Sequence, residues 1–284
     1  MEVVLIHVGY VARDKLDTFA KLGYRCLPLP TMCDARYLLE KLAYLGGVEK
    51  VGDRYVVRRL LDEDLVLNDL PEIRREVEEL RRHGCGRVSI SVASFMDLAN
   101  EIWIENRRLV ENPGHCSAVI PFARSVVETI ARSGIEMLVV VDRMLSTIAK
   151  SYELDYGYKR MYVEEAYSYI LEPFNEIVAV YLPGKPSELA IEILCSVPEI
   201  DLLILDASYA TKILDTYVEN VLKESRKGLV MALDDRSKDL RRLVDTFLDH
   251  GVVKGFATVA LEPSTSIDSF LATIEKLVKS LEIA

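Results

Sequence analysis

The feature that most constrains this chain is a recurring kind of short apolar run. Segments such as "MLVVVD" and "LLILDA" are apolar without alternation up to their closing aspartate, and several such runs are β-branched. A half-exposed strand alternates apolar and polar residues, so runs like these belong to strands buried on both faces, as in a parallel sheet. Candidate strands are Val3 to Val8, Tyr55 to Arg58, Arg87 to Ala93, Glu136 to Asp142, Ile177 to Leu182, Asp201 to Asp206, Gly228 to Asp234 and Val253 to Leu261. Longer amphipathic stretches fill the gaps. "DLPEIRREVEELRRHG" carries Pro71 at a first-turn position and Gly84 past its end, which is how helices start and stop. Such alternation means α/β, and 284 residues with about eight strands favour a closed (β/α)8 TIM barrel over a doubly wound sheet.

"HVGYVARDK" after the first strand has one glycine where a dinucleotide fingerprint needs three, so no cofactor is expected. No linker or repeat interrupts residues 1–284, which are read as one domain. A hairpin excursion is expected around 46–60, with turn residues Gly52 and Asp53. The second barrel strand is sought between Pro28 and Asp69.

The net charge is −10 and the pI near 5.1, which argues against nucleic-acid or membrane-surface binding, since both need positive potential. No apolar run reaches about 18 residues, so no membrane span is expected. "MEVVLIHVGY" reads as a first strand rather than a leader. Five scattered cysteines without a C-x-x-C pair support neither a disulfide framework nor a zinc knuckle, and fit a reducing cytoplasm. The chain has no glutamine and many Glu, Lys and Arg residues, a composition that suits a thermophile.

Barrel chemistry sits at the C-terminal strand ends. Those ends carry His7, Gly9, Ser91, Asp142, Tyr181, Asp206, Asp234, Asp235 and Glu262. Each acid has a plain alternative role, because Asp commonly ends strands and caps the next helix. Several acids at one mouth would need a cation or a basic partner.

Most of the chain, and best the part after Ala131, resembles the C-terminal catalytic barrel of cobalamin-independent methionine synthase and its short archaeal relatives. "GYVAR" keeps Gly9 and Arg13 of the family's G-S-x-P-R-like turn, and "VVVDRML" keeps Asp142 of its D-E-P. "IDLLILDA", "KGLVMALDDRS" and "VKGFATVALEPSTSIDSF" resemble its sixth, seventh and eighth strands. The resemblance implies a (β/α)8 barrel binding a small amino-acid-like or pterin-like molecule. It implies Asp142, Asp206 and Asp234 as partners of cationic groups, Arg13 or Arg143 as partner of a carboxylate, and His7, Tyr181 and Glu262 beside them. The family's zinc ligands fall on Tyr181, Pro183, Asp206 and Thr265, of which Asp206 alone is still a plausible ligand. Zinc held by three protein ligands with thiolates is therefore not expected, nor zinc-dependent methyl transfer to homocysteine.

Other candidates compete with plain structural roles. His115-Cys116 starts a helical stretch, where a thiol can be activated, but no acid–base partner is spaced for it. Ser264, Thr265 and Ser266 suit a phosphate at a helix N-terminus, or simply a capping box with Asp268. Six tyrosines between Tyr152 and Tyr169 could stack a flat heterocycle or cover the barrel as an interface. The competing reading of the whole chain is a non-catalytic relative, a homo-oligomer or partner subunit with the mouth repurposed.

Overall fold

The computed structural model describes residues 4–10, 15–22, 26–29, 32, 34–57, 66–67, 69–111, 113–151, 156–233, 240–261 and 268–283. Eight parallel strands close into a ring. In chain order these are β1 (Val4–Gly9), β2 (Cys26–Leu29), β5 (Arg87–Ala93), β8 (Met137–Val141), β9 (Ile177–Leu182), β10 (Leu202–Asp206), β11 (Gly228–Leu233) and β12 (Val253–Ala260). The ring closes where Val4 to Gly9 pair with Gly255 to Ala260, and where Ile6 meets Cys26. Gly255 allows the first of these seams, because a Cβ there would lie 1.9 Å from Val4 O. The expected (β/α)8 barrel is therefore the fold.

The strands are apolar throughout because they are buried twice. Ile6, Val8, Met137, Val139, Val141, Ala179, Tyr181, Ile204, Val230, Ala232 and Ala257 fill the barrel interior. Their neighbours in sequence, such as Leu138, Val140, Val180 and Leu205, pack against the helices. This two-sided register decides which way every strand-end side chain points.

Helices follow the strands, with side-chain caps where the sequence offers them. Asp34 caps α2 (Ala35–Tyr44), Ser94 caps α4 (Phe95–Glu101) and Ser187 caps α9 (Glu188–Ser196). Pro71 opens α3 (Pro71–Arg82), and Gly84 follows it at φ +83°.

The second barrel strand is Cys26–Leu29, at the edge of the searched region. Tyr55 to Arg58 is not part of the barrel. Residues 54–57 instead form β4 (Arg54–Val57) of a separate four-stranded sheet with β3 (Val48–Val51), β6 (Ile102–Ile104) and β7 (Arg107–Arg108). The reason for the misplacement is Pro28 in "CLPL", a residue that weakens a strand signal. β3 and β4 form an antiparallel hairpin over 48–57, and β4 pairs in parallel with β6, Tyr55 opposite Ile102. The small sheet thus joins the connection after β2 to the connection after β5. Arg54 lies over the Trp103 ring at 4.3 Å and Arg108 at 5.4 Å.

Candidate functional site

A cavity of about 310 Å³ opens at the C-terminal ends of the strands. Its walls are Asp34, Ala35 and Arg36 at the start of α2, Asp97, Asn100 and Glu101 on α4, Arg143 and Met144 after β8, and Leu261 after β12. Every one of these segments leaves the C-terminal end of a barrel strand, so the cavity lies at the mouth where barrel chemistry is found.

Asp97 and Arg143 form its most constrained pair. Ser94, the N-cap of α4, accepts the Asp97 backbone N–H at 3.0 Å, which fixes Asp97 in the first turn. The Asp97 carboxylate accepts from the Arg143 backbone N–H at 3.0 Å and from its guanidinium at 2.9 Å. Asp97 is buried, while the Arg143 side chain remains 37% exposed. Burial, together with the nearby Asp142 charge, raises the Asp97 carboxyl above its ordinary range to about 7, and Arg143 opposes the rise.

Asp142 is turned the other way. It follows the outer parity of β8, shared with Leu138 and Val140, and enters the helical layer. One carboxylate oxygen accepts from Met144 N at 2.9 Å and Leu145 N at 2.6 Å, and the other accepts from the Tyr167 hydroxyl. Its geometry is that of a cap for α7 (Leu145–Ser151). It is buried, and burial raises its carboxyl as well.

Tyr181 and Asp206 do point into the barrel mouth and meet there. The Tyr181 hydroxyl donates to Asp206 Oδ1 at 2.8 Å, and Gly184 N donates to Oδ2 at 2.8 Å. Gly184 supplies that N–H from a turn at φ +79°. Asp142 and Asp206 end strands separated by one other, about 10 Å apart at strand spacing.

His7 is held between β1 and the helices, away from the mouth. Its Nδ1 pairs with Thr258 Oγ1 at 2.6 Å and its Nε2 with Tyr10 O at 2.8 Å, and Phe19 packs edge-on at 4.8 Å. The ring is buried, which lowers its pKa to about 4 and keeps it neutral. Arg13, Asp234, Asp235, Glu262, Ser264, Thr265 and Ser266 lie outside the described residues, as does Tyr152.

Two other sequence candidates resolve differently. Cys116 ends the short helix α5 (Pro113–Cys116) and also stands at the N-terminal end of the 3-10 turn Ser117–Val119, as the sequence suggests. It is buried and donates to Leu109 O at 3.5 Å, and burial pushes its thiol up to about 12, the opposite of activation. Of the tyrosines, Tyr167 is buried against Phe95 and bonded to Asp142, and exposed Tyr169 stacks under Arg124 at 4.2 Å. Neither lines the cavity.

Known proteins extend the description of the fold. No protein-family model matches the chain, and no curated protein does. Solved structures do. A B12-independent methionine synthase from Shewanella sp. W3-18-1, in complex with selenomethionine, superposes with a TM-score of 0.64 at 10% identity over 95% of this chain and 85% of that one. A vitamin-B12-independent methionine synthase candidate from Listeria monocytogenes gives 0.61 at 12% identity over 100% and 99%. The chain is a TIM barrel. A GH18 chitinase from Pseudoalteromonas aurantia follows at 0.57 and 9% identity over 98% and 100%, so the likeness is one of fold.

Sequence reading missed Asp97. It looked for acids at strand ends, whereas Asp97 sits one helical turn beyond one. The available signal was Ser94-x-x-Asp97, a capping-box spacing that places an acid beside the mouth.

Proposed function

We propose that this chain, as a single barrel domain over residues 1–284, binds a small zwitterionic, amino-acid-like molecule at its mouth, without a zinc–thiolate centre. The observation that carries the reading is the cavity of about 310 Å³, walled by carboxylates and guanidinium groups together. That volume is at the small end of ligand pockets. Arg36 and Arg143 suit a ligand carboxylate; Asp34, Asp97 and Glu101 suit its ammonium group.

The absence of a zinc centre is supported by the donor chemistry. Pro183 has no ligand atom, and Tyr181 is a phenol that already donates to Asp206. The second oxygen of Asp206 is taken by Gly184 N. A carboxylate with both oxygens engaged, and with no thiolate beside it among the described residues, is a poor fit for zinc. Among the described residues no aromatic side chain walls the cavity, which favours the amino-acid-like ligand over a stacked pterin.

With such a ligand in place, Arg143 would keep its hold on Asp97 while offering its exposed edge to the ligand. Asp97, which retains its proton to higher pH than an ordinary carboxyl, is placed to exchange one with the bound ammonium group.

The test is a thermal-shift screen of free amino acids and related zwitterions on the wild-type chain, Arg143→Ala and Asp97→Asn. One class of zwitterion should raise the wild-type Tm and lose that effect in both variants. No shift from any zwitterion, or a shift that both variants retain, overturns the reading.

A further inference from the structure

At the opposite end of the barrel, three side chains from a helix and two helix-flanking turns converge. Asp215 lies in the turn before α11 (Tyr217–Glu224), Glu219 on that helix, and His250 just past α12 (Leu240–Asp249). His250 O accepts from Val253 N, which puts the ring beside the start of β12, away from the mouth. One ligand atom from each residue lies within 4.8 Å of the others. Glu219 and His250 are largely buried and Asp215 is exposed.

The contacts around the ring are asymmetric. His250 Nδ1 lies 3.0 Å from Glu219 Oε2, while Nε2 lies 3.5 Å from Asp215 Oδ1. Glu219 is fixed from its other side, because Lys223 holds Oε1 at 2.6 Å. A neutral ring that donates Nδ1–H to Glu219 turns its Nε2 lone pair toward the Asp215 carboxylate. Two acceptors then face each other, and either a proton on Nε2 or a metal cation between the two atoms removes the conflict. A carboxylate behind the imidazole and an open lone pair in front is the arrangement that orients metal-binding histidines.

We propose that His250 Nε2 and Asp215 bind a divalent transition-metal ion of the zinc type, with Glu219 orienting the ring and water completing the shell. Imidazole with carboxylate selects such an ion over the harder Mg²⁺ or Ca²⁺. Ligand atoms about 3.4 Å apart enclose zinc at its usual bond lengths, so the 3.5 Å gap needs almost no closing. The bound ion would link α11 to α12, two neighbouring helices of the outer layer.

The experiment is calorimetric titration of Zn²⁺ into chelator-treated protein, paired with Tm measurements. About one equivalent should bind and raise the Tm. Asp215→Asn, at an exposed position, and His250→Ala should each weaken binding at least about tenfold. Asp206→Asn, at the mouth, should bind Zn²⁺ as the wild type does. No Zn²⁺ binding, or binding unchanged in Asp215→Asn and His250→Ala, overturns the proposal.

Discussion

The Tyr181 hydroxyl and Asp206 Oδ1 are joined at 2.8 Å across neighbouring barrel strands, both aimed into the mouth. Removing the donor takes the phenol from Asp206 Oδ1, while Gly184 N still donates to Oδ2. Tyr181→Phe keeps the ring packing and is expected to cost about 1–2 kcal/mol in urea denaturation. A cost near zero would mean that water replaces the phenol without loss.

The mouth is expected to perform no zinc-dependent methyl transfer. Assays with homocysteine and a methyl donor should show no methionine, with or without added Zn²⁺. Substituting Asp206→Asn should leave the zinc content unchanged. Zinc lost on that substitution, together with methyl transfer, would mean a centre built from residues other than Tyr181 and Pro183.

The Asp97 and Asp142 carboxyls should make stability depend on pH in a definite direction. Their folded-state affinities for protons are raised, that of Asp97 to about 7, so above the ordinary carboxyl range the native state binds more protons than the unfolded chain. Their contribution to stability is therefore present at low pH and lost as pH rises toward 7. His7 acts oppositely: its pKa is lowered to about 4, so its contribution is present above the ordinary histidine range and lost as pH falls toward 4. The stability difference between wild type and Asp97→Asn should fall with pH across this window, by at most about 1.4 kcal/mol per unit. A flat difference would place the Asp97 carboxyl in ordinary surroundings.

Gly9 combines a left-handed backbone with a close contact, so it has no room for a side chain. It adopts φ +102°, and a Cβ would lie 2.1 Å from Ala260 O. Its N–H meets Ser91 Oγ at 3.2 Å, inside the ring. Gly9→Ala should destabilise by about 3 kcal/mol or more, from backbone strain and the clash together, seen as a lower denaturation midpoint.

The barrel was legible because its strands advertise double burial: "MLVVV" and "GLVMAL" have no polar face to mistake. β2 was not, since four residues containing Pro28 carry little pattern. At the site, sequence located the strand ends but not the parity. Asp142 and Asp206 look alike as acids ending apolar runs. One residue of register turns the first into the helices and the second into the mouth. Arg143 was seen as a carboxylate partner. Its tie to Asp97 joins two separate connections, which no spacing within the chain encodes.

The small sheet that joins the connections after β2 and β5 bears on how the cavity would work. Asp34 to Arg36 stand at one end of that structure and Glu101 immediately precedes β6 at the other. Two separate insertions would each sample many arrangements, and a ligand would have to freeze both. Parallel pairing of Tyr55 with Ile102, and the Arg54–Trp103–Arg108 stack, hold them as one plate. The entropy of ordering that wall is thus spent during folding rather than during capture. A ligand arriving at the mouth meets a mould already set.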